Sequence, residues 1–497
     1  MTDQTRRDVL MGGAAVAITD AIATVAGTRK ASAQKADSIQ AAPAPLALAL
    51  ARSLNRTQFA GLPPVAITNA KMILASTLAS AASGTMIRSA QIVRDLAKER
   101  GGRADSTVWF DGTKLPVTEV ARVNAMLSDA AASDDSDLRN VAHVGTSLTA
   151  VGLAIGEPNG ASGPDLLNAM VTGYEAAGRI GDALSSSRSG FHASVIVAFG
   201  GVTAAAKLLK LTDEQLANAI SITATTMGGL WIGTNSWARE YHAGNAALCA
   251  VNAAQAAARG YTVNEDLLEA RGGFLSVFGG ANADTRRMTR ETGPDWDIVK
   301  YLAIKLVPGA HPLLASAEAA VNASRQAGVP PENVSKILIA GPQVRESDAI
   351  GFFLGVTQRP PKDMVEAIHS LTYFVASAVA DKDFSWVHAT PEKIHSPVVA
   401  RLMSVVEADP APPAIHYDWN WGGTVTIVTN TGGHFTSTVQ APRGSGPRGI
   451  EWSDVEAKYR ALMPDSGLPA KRADEILKQI HDFDQVKRVA DFTRLLK

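Results

Sequence analysis

The chain has 497 residues, is 46% hydrophobic and carries a formal net charge of -1. Its length exceeds what one ordinary hydrophobic core accommodates, so two or more domains are expected. The near-neutral charge excludes a basic surface for nucleic acid, and the single cysteine, Cys249, excludes a disulfide within the chain.

The first 33 residues have the pattern of an export signal. Arg6 and Arg7 form a twin-arginine pair, a modestly apolar run follows, and Ala31-Ser32-Ala33 offers small residues for cleavage. Because the run contains glycines and an aspartate, it is too weak to span a membrane stably. We therefore expect a Tat signal peptide at 1–33, a flexible leader at 34–45, and export by the Tat translocase. The mature protein is expected in the periplasm and off the membrane.

Residues 46–307 have a helical pattern almost throughout. An apolar stripe over 65–82 follows Pro63-Pro64, and proline is favoured at a helix start. Thr212 and Gln215 form a capping box that predicts a helix over 216–225. Alanine and glycine are abundant in these runs, which indicates closely packed helices rather than a thick sheet.

From residue 308 the composition changes to that of an α+β module. A strand is predicted at 334–340, a hairpin around Gly432-Gly433, and helices at 314–326 and 366–379. The predicted fold class is therefore mainly α with an α+β second domain. A large all-helical domain (46–307) is interrupted by a smaller α+β lid domain (308–452). The C-terminal helices at 453–497 return to the helical domain, with a cleft between the two domains.

The most unusual stretch lies at 131–145, where a helix-like run ends. It contains two adjacent carboxylates, Asp134 and Asp135, then the hydroxyl of Ser136 and, close to a glycine, His143. Proton transfer on a small acid needs a few titratable groups held together on rigid backbone. The alternative is structural, with Asp134 or Ser136 capping the next helix.

This stretch and several others resemble the MmgE/PrpD family, which includes 2-methylcitrate dehydratase, cis-aconitate decarboxylase and iminodisuccinate epimerase. The further matching segments are 62–65, 71–78, 171–175, 207–211, 242–247, 272–274 and 366–373. They follow the family's order over nearly all of the chain after the signal. The resemblance implies a large helical domain with an α+β lid, pairing into a homodimer through the helical domain, and catalysis with no metal or organic cofactor. The sequence also has no His-Glu-x-x-His pair, no Cys/His ligand spacing and no Gly-rich phosphate loop.

The resemblance assigns roles to residues of the 131–145 stretch. Asp134, Asp135 and Ser136 match the family's Asp-Phe-Asp-Asp-Thr-His segment and are expected to bind substrate. His143 is expected to transfer a proton or to donate to a substrate carboxylate. Ala132 stands where the family has an acid and Ser133 where it has an aromatic residue, so the resemblance does not by itself assign the family's substrate to this chain.

Two later segments add candidates. His192 precedes a predicted helix and is a catalytic candidate. The positive end of the helix dipole lowers the pKa of an imidazole and so favours the neutral base. The alternative is that His192 is a packing residue. Arg239 stands where family members commonly have lysine. It is expected to bind a carboxylate, because a guanidinium can donate two parallel hydrogen bonds to one carboxylate group. The alternative is a surface salt bridge to Glu240 or Glu269. His242 matches a family histidine expected to bind substrate, although a structural role at a helix start is an alternative.

Three further candidate site residues lie at or after the start of the second domain. Lys305 and His311 match a family cluster near the start of that domain, and each is expected to bind a carboxylate or donate a proton, with Lys305 counted as catalytic. Tyr373 matches a family tyrosine that faces the active site, so Tyr373 is expected to be catalytic. The alternative is that it packs between the two domains.

Together these residues predict proton chemistry beside a carboxylate. The first choice is a cofactor-free lyase acting on a small di- or tricarboxylic acid, with dehydratase ahead of decarboxylase. An epimerase or isomerase acting next to a carboxylate is the alternative within enzymes. A periplasmic binder of small acids on a degenerate scaffold is the alternative outside enzymes, favoured by the departures at Ala132, Arg239 and Gly309.

Overall fold

The computed structural model describes residues 44–184, 190–291, 295–342, 344, 355–417 and 421–497. The predicted signal peptide and residues 34–43 of the predicted leader lie outside this range. Within it, the apolar side chains form two separate cores.

The first part of the described chain is mostly helical, as predicted. Its helices are α1 (Leu46–Asn55), α2 (Pro64–Gly84), α3 (Arg88–Arg100), α4 (Val117–Ala130), α5 (Val144–Gly156), α6 (Gly163–Ala183), α7 (Ser194–Leu208), α8 (Asp213–Thr226), α9 (Ala238–Ala258), α10 (Phe274–Phe278) and α11 (Asp297–Lys300). Short strands β1 (Ser106–Thr107) and β2 (Lys114–Leu115) pair with each other, and β3 (Asp135–Asp137) pairs with β4 (Leu302–Ile304).

The local signals in the sequence act where they were expected. Pro64 occupies the first turn of α2, and Thr212 and Gln215 form a capping box at the start of α8. Helices α6 and α7 approach closely because glycine is present in both: a Cβ at Gly173 would lie only 2.6 Å from the carbonyl oxygen of Gly200. Helix α2 is long and apolar enough to cross a membrane, but most of it is buried in the first core.

The second core belongs to an α+β region. Its elements are α12 (His311–Ala327), β5 (Val334–Ala340), α13 (Met364–Ala367), α14 (Leu371–Asp381), α15 (Pro391–Ile394), α16 (Pro397–Met403), β6 (Val406–Ala408), β7 (Gly423–Thr429) and β8 (His434–Val439). The strand order is β6-β5-β7-β8; β5 and β6 are parallel, and the other pairs are antiparallel. The predicted strand and hairpin are confirmed.

One helix prediction in this region is wrong. The single helix expected over 366–379 is broken into α13 and α14, because the Ser370 hydroxyl accepts a hydrogen bond from the backbone N–H of Tyr373 and starts a new helix there.

The chain ends in α17 (Trp452–Leu462), α18 (Ala470–His481) and α19 (Val489–Thr493). Their apolar side chains, among them Val455, Ile476 and Phe492, join the first core. The predicted fold class, mainly α with a smaller α+β domain, is confirmed.

Candidate active site

The two-stranded ribbon of β3 and β4 assembles the centre of the site. Asp135 pairs with Ile304, so Asp134 lies beside the residue that follows β4, Lys305. The backbone N–H of Lys305 donates to the carbonyl oxygen of Asp134 at 3.1 Å. The ribbon therefore brings together two segments that the sequence analysis had treated separately.

Asp134 and Lys305 form a buried ion pair. Lys305 Nζ lies 2.6 Å from Asp134 Oδ1, and both side chains are at most 1% exposed. Burial by itself raises the pKa of Asp134, but His143 and Lys305 lower it to about 2. Asp134 is therefore a carboxylate at neutral pH.

His143 is held in one tautomer. Its Nδ1 lies 2.7 Å from the carbonyl oxygen of Asp135 and 3.1 Å from Asp134 Oδ2. Because a carbonyl oxygen only accepts hydrogen bonds, we assign the ring proton to Nδ1, which leaves the lone pair on Nε2. Burial lowers the pKa of His143 to about 4, against the attraction of Asp134, so the ring is neutral near pH 7. A neutral imidazole with a free Nε2 lone pair is suited to remove a proton.

Ser136 and His311 extend the cluster. Ser136 Oγ lies 3.3 Å from Nδ1 of His143 and 2.9 Å from Nδ1 of His311. Burial holds the pKa of His311 well below its usual value, and no hydrogen-bond partner for its buried Nε2 is found within the described part of the chain. His311 is therefore a second neutral imidazole in the cluster, with one nitrogen still to be satisfied.

Asp135 contacts the start of a helix. Both of its carboxylate oxygens accept from the backbone N–H of Gly145, at 2.9 and 3.0 Å, at the start of α5. Successive side chains of an extended strand alternate in direction, so Asp135 faces α5 while Asp134 and Ser136 face the cluster. Asp135 therefore contacts the helix terminus, and substrate binding by Asp135 stays a prediction. Neither Asp134 nor Ser136 caps α5, so the capping alternative for these two residues is wrong.

Arg239, on α9, is buried. Its Nη2 donates to the carbonyl oxygens of Asp129 and Ala130, at 2.9 and 3.0 Å, and its Nε lies 3.5 Å from Asp129 Oδ2. The alternative of a salt bridge to Glu240 is met in part: Nη2 lies 3.7 Å from Glu240 Oε2, but the pair is buried and not on the surface. The guanidinium holds the last turn of α4 and places its positive charge beside the cluster.

His192 and His242 form a pair, with ring centroids 5.0 Å apart. Nδ1 of His192 accepts from the backbone N–H of Ser194, at the start of α7. His242 and Arg239 lie three residues apart on α9, so both point from the same face of that helix. Helix α9 therefore links the histidine pair to the cluster around Asp134.

Tyr373 is not brought to the cluster. Its hydroxyl donates to the carbonyl oxygen of His388 at 2.7 Å, within the second domain. The residue of this segment that faces the cluster is His369, which the sequence analysis did not select. Burial holds the pKa of His369 well below its usual value, and the positive charges of Arg239 and Lys305 add to the effect.

Lys458, on α17, was also missed. Its Nζ donates to Ser76 Oγ at 2.7 Å and to the carbonyl oxygen of Ser133, the residue before Asp134. Burial lowers the pKa of Lys458 to about 7. Lys458 also lines a cleft of about 530 Å³ between α12 and α17. The sequence does indicate a buried charge here, because Lys458 lies on the apolar face formed by Val455, Tyr459 and Leu462.

A carboxylate from α4 completes the cluster. Asp129 is 1% exposed, and its carboxylate lies within 4.8 Å of ligand atoms of Asp134 and His143. These three side chains are spaced as metal ligands are, but the nitrogen of His143 that faces the carboxylates is Nδ1, to which we assign a proton. A protonated nitrogen has no lone pair for a metal ion, so the group is better described as a proton-transfer cluster.

The fold and the cluster define a class of protein: a mainly helical molecule with a smaller α+β domain and a buried set of imidazoles, carboxylates and cations. Residues 48–286 match the MmgE/PrpD N-terminal domain and residues 310–483 match the MmgE/PrpD C-terminal domain. The chain belongs to the MmgE/PrpD family, which confirms the resemblance found in the sequence.

Curated relatives have a defined activity. The chain is 25% identical over 448 residues to the human (Homo sapiens) cis-aconitate decarboxylase, covering 87% of this chain and 90% of the human protein. It is 23% identical to the mouse (Mus musculus) cis-aconitate decarboxylase, covering 87% and 89%. At this identity the comparison supports a lyase of the dehydratase or decarboxylase type at the level of the family.

Proposed function

We propose that the protein is a lyase that acts on a small di- or tricarboxylic acid by proton transfer next to a carboxylate, without a metal or organic cofactor. The observation that carries the proposal is the environment of His143. Its Nδ1 proton is held by the carbonyl oxygen of Asp135, its ring is neutral, and the Asp134–Lys305 ion pair lies against it.

In this proposal Nε2 of His143 removes a proton from the carbon next to a substrate carboxylate. Negative charge then develops on that carboxylate in an enolate-like transition state. Arg239 and Lys305 supply buried positive charge near it, and fixed charges in a water-poor site stabilise such a state strongly. Positioned acid–base groups contribute roughly 10²–10⁴-fold to rate.

The group that leaves decides the reaction. Loss of hydroxide gives a dehydratase, our first choice, and loss of carbon dioxide gives a decarboxylase, as named for the human and mouse relatives. Return of the proton to the opposite face gives an epimerase, which is the alternative. A binder without catalysis is the remaining alternative, supported by the replacements at Ala132 and Arg239.

We also propose that the protein is exported folded through the Tat pathway to the periplasm and functions there as a homodimer. The twin-arginine pattern at Arg6-Arg7 supports export. A cytoplasmic cycle enzyme needs no such signal, which favours an environmental acid or an acid derived from an aromatic compound as the natural substrate. Fusion of residues 1–45 to a folded reporter, with and without Arg6 and Arg7, tests export, and light scattering tests the dimer.

The activity is tested by following purified protein by NMR in heavy water with a panel of polycarboxylic acids. A lyase converts at least one acid to an unsaturated or shortened product. An epimerase exchanges a C–H for deuterium without loss of mass from the carbon skeleton. A pure binder does neither, and that result would contradict the proposal.

A further inference from the structure

Asp129 is a buried carboxyl group that no role described so far uses. It lies in the last turn of α4 and is 1% exposed. Its Oδ2 has no hydrogen-bond partner among the described residues, and the cation beside it, Arg239 Nε, lies 3.5 Å away, beyond hydrogen-bonding distance.

Asp129 and Asp134 form a carboxyl pair. Their oxygens lie within 4.8 Å of each other, and both side chains are buried. Two carboxylates this close do not both ionise readily, and Asp134 already has Lys305 as its partner. Burial, partly opposed by Arg239 and reinforced by the charge of Asp134, raises the pKa of Asp129 to about 7. Asp129 is therefore the member of the pair that keeps a proton.

We propose that Asp129 is the catalytic acid of this site. The proposal rests on the proposed function and deepens it, because it separates the acid from the base. His143 removes a proton, and Asp129 delivers one.

The protons balance in either reaction. In dehydration, Nε2 of His143 takes the proton from carbon, the C–O bond breaks, and Asp129 protonates the departing hydroxide to give water and an unsaturated acid. Exchange with solvent then returns a proton from His143 to Asp129. In decarboxylation the C–C bond breaks, carbon dioxide leaves, and Asp129 protonates the carbanion; it regains its proton from water.

The test compares wild type with Asp129→Asn, using citrate, 2-methylcitrate and cis-aconitate in heavy water. Asparagine keeps the shape of the side chain but has no carboxyl proton to give. We expect kcat to fall about 100-fold or more with KM changed less than about threefold. For acids with a removable C–H, His143-dependent deuterium exchange persists in the variant. Asp297→Asn is the matched control: Asp297 is also a buried aspartate, but its ion-pair partners are Arg139 and Arg290, outside the cluster, and kcat should stay within about threefold of wild type.

An Asp129→Asn variant with kcat within about fivefold of wild type would overturn the role of Asp129. If that variant does not fold, the kcat–pH profile of wild type decides. The titratable and charged groups facing Asp129 are Arg239 and Glu240 on α9, Lys305 after β4, and Asp134 and His143 between α4 and α5. We expect kcat to decline above about pH 7 as Asp129 ionises, and a profile flat from about pH 6 to 9 would overturn the proposal. Wild type that neither converts nor exchanges any of the three acids would contradict the proposed function itself.

Discussion

Lys305 Nζ lies 2.6 Å from Asp134 Oδ1, although 171 residues separate the two in the chain. Neither side chain is more than 1% exposed. The contact joins the segment after α4 to the segment that leads into the second domain. It therefore holds the cluster together as well as setting the charge of Asp134.

Replacing Lys305 by methionine should destabilise the protein strongly. Removing one partner of a buried ion pair leaves the other charge unpaired, which costs about 3–5 kcal/mol. The double variant Lys305→Met/Asp134→Asn should recover much of this loss, because no isolated charge remains. Urea unfolding of the two variants and wild type gives the comparison.

The exposed pair Lys336–Glu407 is the matched control. Its side chains are 53% and 44% exposed, and surface pairs of this kind contribute about 0–1 kcal/mol. Lys336→Met should therefore unfold close to the wild-type midpoint. Equal effects of Lys305→Met and Lys336→Met would show that the buried pair is not a structural element of the site.

Arg239→Ala should mainly raise KM. The guanidinium is a permanent charge beside the cluster, and loss of a charged contact to a substrate carboxylate corresponds to about a tenfold or greater rise. Arg239→Lys keeps the charge but loses the forked geometry, so its KM should be intermediate. Steady-state kinetics of both variants check this, and an unchanged KM in Arg239→Ala would refute carboxylate binding.

His192→Ala should abolish turnover with little loss of stability. The ring lies against His242, and its Nδ1 bonds the backbone N–H and the hydroxyl of Ser194 at the start of α7. Turnover and the thermal midpoint should be measured on the same preparation. Activity close to that of wild type would remove His192 from the mechanism.

The pH dependence of stability provides an independent test of Asp129. Its pKa is raised in the folded state from 3.8 to about 7, so the folded protein binds more protons than the unfolded chain between these values. The contribution of Asp129 to stability is therefore lost as the pH rises through that window. Because asparagine does not ionise, Asp129→Asn should gain in thermal midpoint relative to wild type from about pH 4 to pH 8. A difference that does not change with pH would mean that the carboxyl has an ordinary pKa.

Much of the fold was predictable because its signals are local. Pro64 at the start of α2, the capping box at Thr212 and the hairpin after β7 each depend on a few neighbouring residues. The break between α13 and α14 was missed because a helical periodicity continues across Ser370. Only the capping contact of its hydroxyl with the N–H of Tyr373 shows where the new helix begins.

The site was predictable only where the family motif marks a residue. His143, Lys305 and His311 were selected and lie in one cluster. Asp135 and Tyr373 carry the right residue types but point elsewhere, since strand alternation and the helix break decide their directions. Asp129 and Lys458 lie on buried helix faces. A charged residue on such a face indicates a buried charge, but its partner is distant in sequence and cannot be identified from the pattern.

The central claim is that a neutral His143 removes a proton from a bound organic acid. The most direct measurement is deuterium incorporation at carbon in heavy water, comparing wild type, His143→Gln and the exposed-histidine control His434→Gln. The account predicts exchange and turnover in wild type and the control, and a loss of both by about 100-fold or more in His143→Gln. Undiminished exchange in His143→Gln would contradict it.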